Sequence, residues 1–346
     1  MSLSLLCLAV LSCTKDGIPP GQEGTARSGL VRVGLQIDTG GPLTRSAGTE
    51  EESRVDQVAV LAFDESDALC ASSLTTLGGQ PFVEVPDGRN VRLFAIANPT
   101  NDFSSVETLS DFYGMGSSYS ANAADCLEMM GTFAGRFSRD TSITVSVERF
   151  AAKFQLDTIV YRLPEEYDTY ISFDTSYGSF TNATSVCPYS LEAVTDYIAS
   201  TKFVVPIGWE RITVGTYGPY PTGDGYKYWI SPRPWSLYVY PNPDPNHKTA
   251  VKVEYKAYFT AIVDDGGTPR QITYSHTHDF SITFPTVSRN TFYHVQKVVV
   301  TRLGTQGISL MGRGGLNIEY EMEEIDMLTG ESRGVIHKVI RHDTLE

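Results

Sequence analysis

The chain has 346 residues, enough for two ordinary domains that each bury a core, and with 41% hydrophobic and 11% aromatic residues it is not a disordered polymer. Its 19 Tyr, 16 Phe, 30 Gly and 18 Pro favour short strands joined by turns, so the composition reads as all-β. A formal net charge of -14 at pH 7 repels phosphate backbones and anionic headgroups, which argues against nucleic acid as a partner.

At the start of the chain an apolar run from Leu3 to Leu11 is too short to cross hydrocarbon and reads as the core of a signal peptide over residues 1–12. Val10-Leu11-Ser12-Cys13 resembles a bacterial lipobox, in which the cysteine is acylated and becomes the mature N-terminus. Cys13 is therefore the expected lipidation site, and the Gly/Pro/Thr/Ser-rich residues 13–28 are the expected tether. Of the other cysteines, Cys7 belongs to the leader, and Cys70, Cys126 and Cys187 lack the paired short spacing of a zinc site. One disulfide or three buried thiols both fit an exported protein.

The first folded element is expected over Leu30 to Ile37, where Val31, Val33, Leu35 and Ile37 alternate with Arg32, Gly34 and Gln36 and so share one face. Turn-forming residues from Thr39 onward, with Arg45 in their midst and Glu50-Glu51-Glu52 at their end, read as an exposed loop closed by a solvated acidic run. Val55 to Phe63 is nearly continuous in apolar residues, the pattern of a strand buried on both faces. Phe82 to Val85 and Val91 to Ala97, with Pro86-Asp87-Gly88 between them, read as a hairpin. Ile143 to Val147 closes a first domain over residues 29–147, and Arg149 to Leu156 opens a second over 148–311.

That second domain holds further expected strands at 167–173, 203–207, 229–240, 252–263, 272–284 and 292–303, at the spacing of an all-β sandwich. Only Leu191 to Ser200 has a helical look. Beyond Gly312-Arg313-Gly314-Gly315 the set Leu316, Ile318, Tyr320 and Met322 alternates again, and Val335 to Ile340 follows. A completed sandwich has no evident need of either strand, so residues 312–346 read as an extension able to donate a strand elsewhere.

Sites for chemistry are scarce. His276 and His278 share a strand face, but no carboxylate or cysteine spacing makes a metal site of them. Gly114-Met115-Gly116 lacks the third glycine of a dinucleotide fingerprint, and there is no nucleophile elbow, zinc-helix motif or P-loop. The acidic clusters at 50–52 and at Glu319, Glu321, Glu323 and Glu324 lack the glycine turn of a calcium loop. No enzyme activity, cofactor or metal is expected. Trp229 and Trp235, with Tyr226 and Tyr228, offer flat faces that could stack on a glycan or plug a domain interface.

Four features together resemble the fimbrillin family, the major and accessory subunits of type V pili of Gram-negative bacteria. They are the lipobox at Cys13, the Arg45 loop ahead of the Val55 to Phe63 strand, ERFAAKFQL from Glu148, and SRNTFYHVQKVVVT from Ser288. The resemblance implies two transthyretin-like β-sandwich domains in tandem and export as an outer-membrane lipoprotein. It further implies an arginine-specific protease, here cutting between Arg45 and Ser46, and a groove left by the departing first strand that a C-terminal strand of the next subunit fills. The expected function is thus a structural fimbrial subunit that mediates surface adhesion. Its expected partners are other pilus subunits, the protease, and host or bacterial surface glycans or proteins. The alternatives are a surface glycan-binding lipoprotein, or an anchor or tip subunit of the same pilus.

Overall fold

Alternating apolar and polar residues become strands over most of the chain in the computed structural model. It describes residues 29–40, 51–76, 78–118, 126–164, 170–173, 176–191, 197–198, 202–205, 210–211, 226–231, 234–264, 267, 269–302 and 317–340. The N-terminal elements are β1 (Leu30–Asp38), β2 (Gln57–Phe63), β3 (Leu69–Thr76), β4 (Phe82–Pro86), β5 (Arg89–Ala97), α1 (Leu109–Tyr113), β6 (Gly116–Ser118), β7 (Met129–Phe137), β8 (Thr141–Ser146) and β9 (Glu148–Arg149). They are followed by β10 (Ala152–Pro164), β11 (Tyr170–Phe173), β12 (Ser176–Thr181), β13 (Ala183–Thr184), β14 (Val186–Pro188), β15 (Tyr197–Ile198), β16 (Lys202–Val205), β17 (Glu210–Arg211), β18 (Tyr226–Ser231) and β19 (Trp235–Val239). The last are β20 (Ala250–Asp264), β21 (Pro269–Thr283), β22 (Thr291–Arg302), β23 (Asn317–Asp326) and β24 (Ser332–Ile340). The fold is all-β.

Two sandwiches follow one another. In the first, a sheet ordered β4-β1-β8 faces a sheet ordered β3-β2-β5-β7-β9. Val33, Val83, Val85 and Val145 of the former pack on Val60, Ala62, Leu93 and Ala95 of the latter. In the second, the sheet β17-β18-β10-β22-β23-β24, with β19 also on β10, faces β11-β20-β12-β16, with β21 on β20. Phe154, Val295, Val298 and Tyr320 meet Phe180, Val251, Phe280 and Ile282 across that core.

The apolar run of β2 is explained by what lies on its two sides. Val58, Val60 and Ala62 point into the first sandwich, whereas Ala59, Leu61 and Phe63 belong to a separate core between the sandwiches with Phe94, Phe112, Phe150, Tyr189 and Tyr240. This junction includes α1, capped by Thr108 with Asp111 in a capping box, whose Phe112 stacks on Tyr189 at 4.9 Å. A short pairing of β6 with β14 also joins the two halves.

Three sequence expectations are corrected here. Phe82 to Val85 and Val91 to Ala97 do not form a hairpin: β4 pairs with β1, β5 pairs with β2 and β7, and the Pro86-Asp87-Gly88 turn carries the chain from one sheet to the other. Within Leu191 to Ser200, Tyr197–Ile198 is a strand paired with Ala183–Thr184. The tail is no loose appendage: β23 lies inside its own sheet between β22 and β24.

Candidate functional site

The candidate site is the slot occupied by β1. This strand sits in the middle of its sheet, antiparallel to β4 with Val31 opposite Val85 and Val33 opposite Val83, and parallel to β8 with Leu35 opposite Ile143 and Ile37 opposite Val145. Val31, Val33 and Leu35 are buried and Ile37 packs partly against the same core. Arg32, pointing outward, lies over the Phe82 ring at 3.8 Å, and its amide donates to Asp140 Oδ1 at 2.8 Å. Gly34 is buried where a β-carbon would stand 3.2 Å from Gln80 Nε2, so the slot is tight at its centre. Three buried aliphatic side chains contribute roughly 5–9 kcal/mol as an upper estimate to holding β1 in place.

β10 occupies the corresponding place in the second sandwich, antiparallel to β18 and β19 and parallel to β22. The difference is connection. β10 is continuous with β9 through Phe150 and Ala151, whereas β1 reaches β2 only through residues 39–56. Arg45 and Ser46 lie in the part of that connection outside the described residues, and Cys13, ahead of β1, lies outside them too. Arg54 is described: its side chain is exposed and pairs with Asp56, but its carbonyl accepts a 2.8 Å bond from Asn98 Nδ2 that fixes the backbone there.

Just beyond the undescribed stretch lies a polar node that the sequence did not suggest. Glu52, read as part of a solvated acidic run, is 3% exposed and pairs with the equally buried Lys153 at 2.7 Å. The Tyr238 hydroxyl donates to the same carboxylate. Arg149 donates to the Glu52 carbonyl at 3.2 Å, to Ser53 Oγ at 3.0 Å and to the Met327 carbonyl at 3.4 Å. Burial lowers the pKa of the Arg149 guanidinium, opposed by the negative charge of Glu52. The node therefore ties the start of β2 to the second sandwich. No local pattern could have revealed it, because Glu52 and Lys153 are 101 residues apart.

The expected donor residues are placed unequally. Ile318, Tyr320 and Met322 of β23 are 2%, 2% and 0% exposed within the second core, and Leu316 lies outside the described residues. β24 forms the edge of the sheet, with Val335 and Val339 exposed and only Ile336 and Ile340 partly covered. The acidic residues of β23 are not gathered for a cation: His337 of β24 faces Glu319 at 3.5 Å and Glu321 at 3.3 Å.

The other candidates do not converge on a site. Trp235 is 8% exposed and packs on Phe154 at 5.5 Å in the second core, so it presents no face to a glycan. Trp229 lies on β18 opposite Tyr161, while His276 and His278 lie on β21 opposite Ala257 and Tyr255. The side chains of these three are not among those described. Among the described residues Cys70, Cys126 and Cys187 form no disulfide, and burial pushes the Cys187 thiol up to about 12.

No protein-family model and no curated protein matches the chain. Solved structures do. A candidate cell adhesion protein from Bacteroides eggerthii superposes with a TM-score of 0.57 at 16% identity over 90% of this chain and 95% of its own. One from Parabacteroides distasonis gives 0.59 at 15% identity over 85% and 96%. A fimbrilin from Porphyromonas gingivalis gives 0.50 at 13% identity over 83% and 95%. The chain has the fold of these adhesion and fimbrial proteins. The likeness runs through both sandwiches, since most of each chain is covered, and at such low identity what it establishes is the architecture.

Proposed function

We propose that the chain is a subunit of a surface filament, exported as a lipoprotein through Cys13 and assembled by exchange of the strand in the β1 slot. Cutting between Arg45 and Ser46 by an arginine-specific protease separates β1 from the remainder of the subunit. A C-terminal strand of another copy then enters between β4 and β8. The observation that carries this reading is the position of β1, the first described strand, buried at the centre of a sheet and joined to β2 by one long connection. Its loss exposes unpaired backbone on both neighbours together with an apolar floor, which is a template for an added strand.

Of the two tail strands, β24 is the donor. Its departure uncovers little, whereas β23 would take Ile318, Tyr320 and Met322 out of their own core. The deciding experiment treats purified protein with a trypsin-like protease and follows N-terminal sequence and particle size together. Wild type acquires an N-terminus at Ser46 and forms oligomers, and Val335→Asp with Val339→Asp abolishes the oligomers while leaving cleavage and monomer stability intact. Normal oligomers from that double variant would exclude β24, and a cut monomer that never associates would exclude strand exchange.

A further inference from the structure

The residues on either side of segment 41–50 are linked to one and the same turn, the one that joins β23 to β24, directly at Gly40 and through Arg149 at Glu52 and Ser53. Upstream, Gly40 has φ +72° and approaches Leu328 so closely that a β-carbon there would lie 2.5 Å from the Leu328 carbonyl oxygen and 2.6 Å from its Cδ1. Any side chain is excluded both by that contact and by the left-handed backbone. Downstream, the Arg149 guanidinium holds Glu52 and Ser53 with two nitrogens and the Met327 carbonyl with the third. Met327 itself is buried and donates its amide to the Asn290 carbonyl at 2.9 Å.

From this we infer that the turn is a latch, held from the β1 side by Gly40 and from the β2 side through Arg149, which restrains the C-terminal hairpin as long as β1 is in place. Among the described residues β24 pairs with β23 alone and only Ile336 and Ile340 of its side chains touch the core; its other holds are polar and at the surface, Arg333 on Thr291 and Asp326 and His337 on Glu319 and Glu321. The security of its first residues depends on the turn that precedes it. Departure of β1 takes Gly40 away and leaves the turn held from one side. The contact thus couples two ends of one subunit, so that a copy becomes able to give its strand when its own slot has been opened. The assembly role rests on the reading given above, but the coupling itself does not, because it concerns contacts within a single uncut chain.

Amide hydrogen exchange across residues 332–340 tests it in the full chain. Gly40→Ala, in which the added β-carbon pushes Leu328 aside, is expected to raise exchange there about tenfold without cleavage, while β2 and β5 keep wild-type protection. Leu328→Ala removes the contact from the hairpin side without altering β1, and is expected to act in the same direction. It decides the matter if Gly40→Ala also loosens β1. Unchanged exchange of β24 in Leu328→Ala, and in wild type after removal of β1, overturns the latch. Cut monomer that has lost β1 and whose β24 stays protected before assembly, yet goes on to form filaments, would do so too and leave strand exchange standing. A loosened β24 in cut protein that never polymerises supports the latch and counts against strand exchange.

Discussion

Glu52 and Trp235 show how far a residue's role departs from its local setting. Glu52 stands in a run of glutamates that reads as solvated, yet Lys153 and Tyr238 bring its carboxylate into the junction between the sandwiches. A buried pair of this kind costs most when half of it is removed, so Lys153→Met should lower unfolding stability by about 3–5 kcal/mol. Adding Glu52→Met should recover part of that loss, and urea midpoints for the two variants provide the check. A single variant as stable as wild type would mean that the pair is solvated in the folded protein. Trp235→Ala should cost about 3–5 kcal/mol for the cavity it leaves against Phe154. That outcome belongs to a core residue. Unchanged stability with a loss of binding on a glycan array would instead restore the glycan-binding alternative. The inward face of β1, Val31, Val33 and Leu35, was legible because period-two alternation sorts inside from outside within a few residues. Arg149 and Glu52 were not, since their partners come from remote parts of the chain.

Strands, as elements, were largely legible, and sheets were not. The alternation that announced β4 and β5 is the same whether two strands pair with each other or with others, so a turn between sheets looked like a hairpin. The tail shows the same limit: Ile318, Tyr320 and Met322 form a set suited to any apolar groove, and only the register against β22 shows that their own sandwich uses it. The β23–β24 turn also has a pH dependence that can be assigned. Burial opposes ionisation of Asp326, but the Arg333 side chain and the amides of Thr329 and Leu328 outweigh it and hold the carboxylate below its ordinary value of 3.8. A depressed folded-state value stabilises the turn fully above the unfolded one, and the contribution is lost as pH falls through the lower folded value. Glu324, raised by burial, has the opposite sign and partly offsets the change in net stability. Exchange of β24 amides should therefore increase below about pH 4 and lose that dependence in Asp326→Asn. An equal acid response in the variant would place the sensitive group elsewhere.

For the whole molecule, the decisive contrast is between β1 and β10, two strands in corresponding places, each with antiparallel pairing on one side and a parallel neighbour on the other, but differently attached. While the chain is continuous, β1 competes for its slot at an effective concentration on the order of millimolar, so a strand offered by another copy at micromolar concentration is at a disadvantage of about a thousandfold. Cutting the connection removes that advantage without altering any contact inside the slot, which still holds roughly 5–9 kcal/mol of buried aliphatic surface. The cut subunit should consequently keep β1 until a competitor arrives, and association should be limited by β1 release rather than by the protease. Two measurements follow from this order of events. Arg45→Ala protein treated with the protease should stay monomeric with its N-terminus unchanged. Excess synthetic peptide spanning Ser28 to Arg45 should slow oligomer formation by cut wild type in proportion to its concentration and leave the cleavage rate untouched. Peptide carrying Val33→Asp and Leu35→Asp should not, because charges would then face Val83, Val85 and Val145. Oligomers that form at one rate regardless of added peptide would mean that the incoming strand does not use the β1 slot, and the subunits would then have to join through another surface.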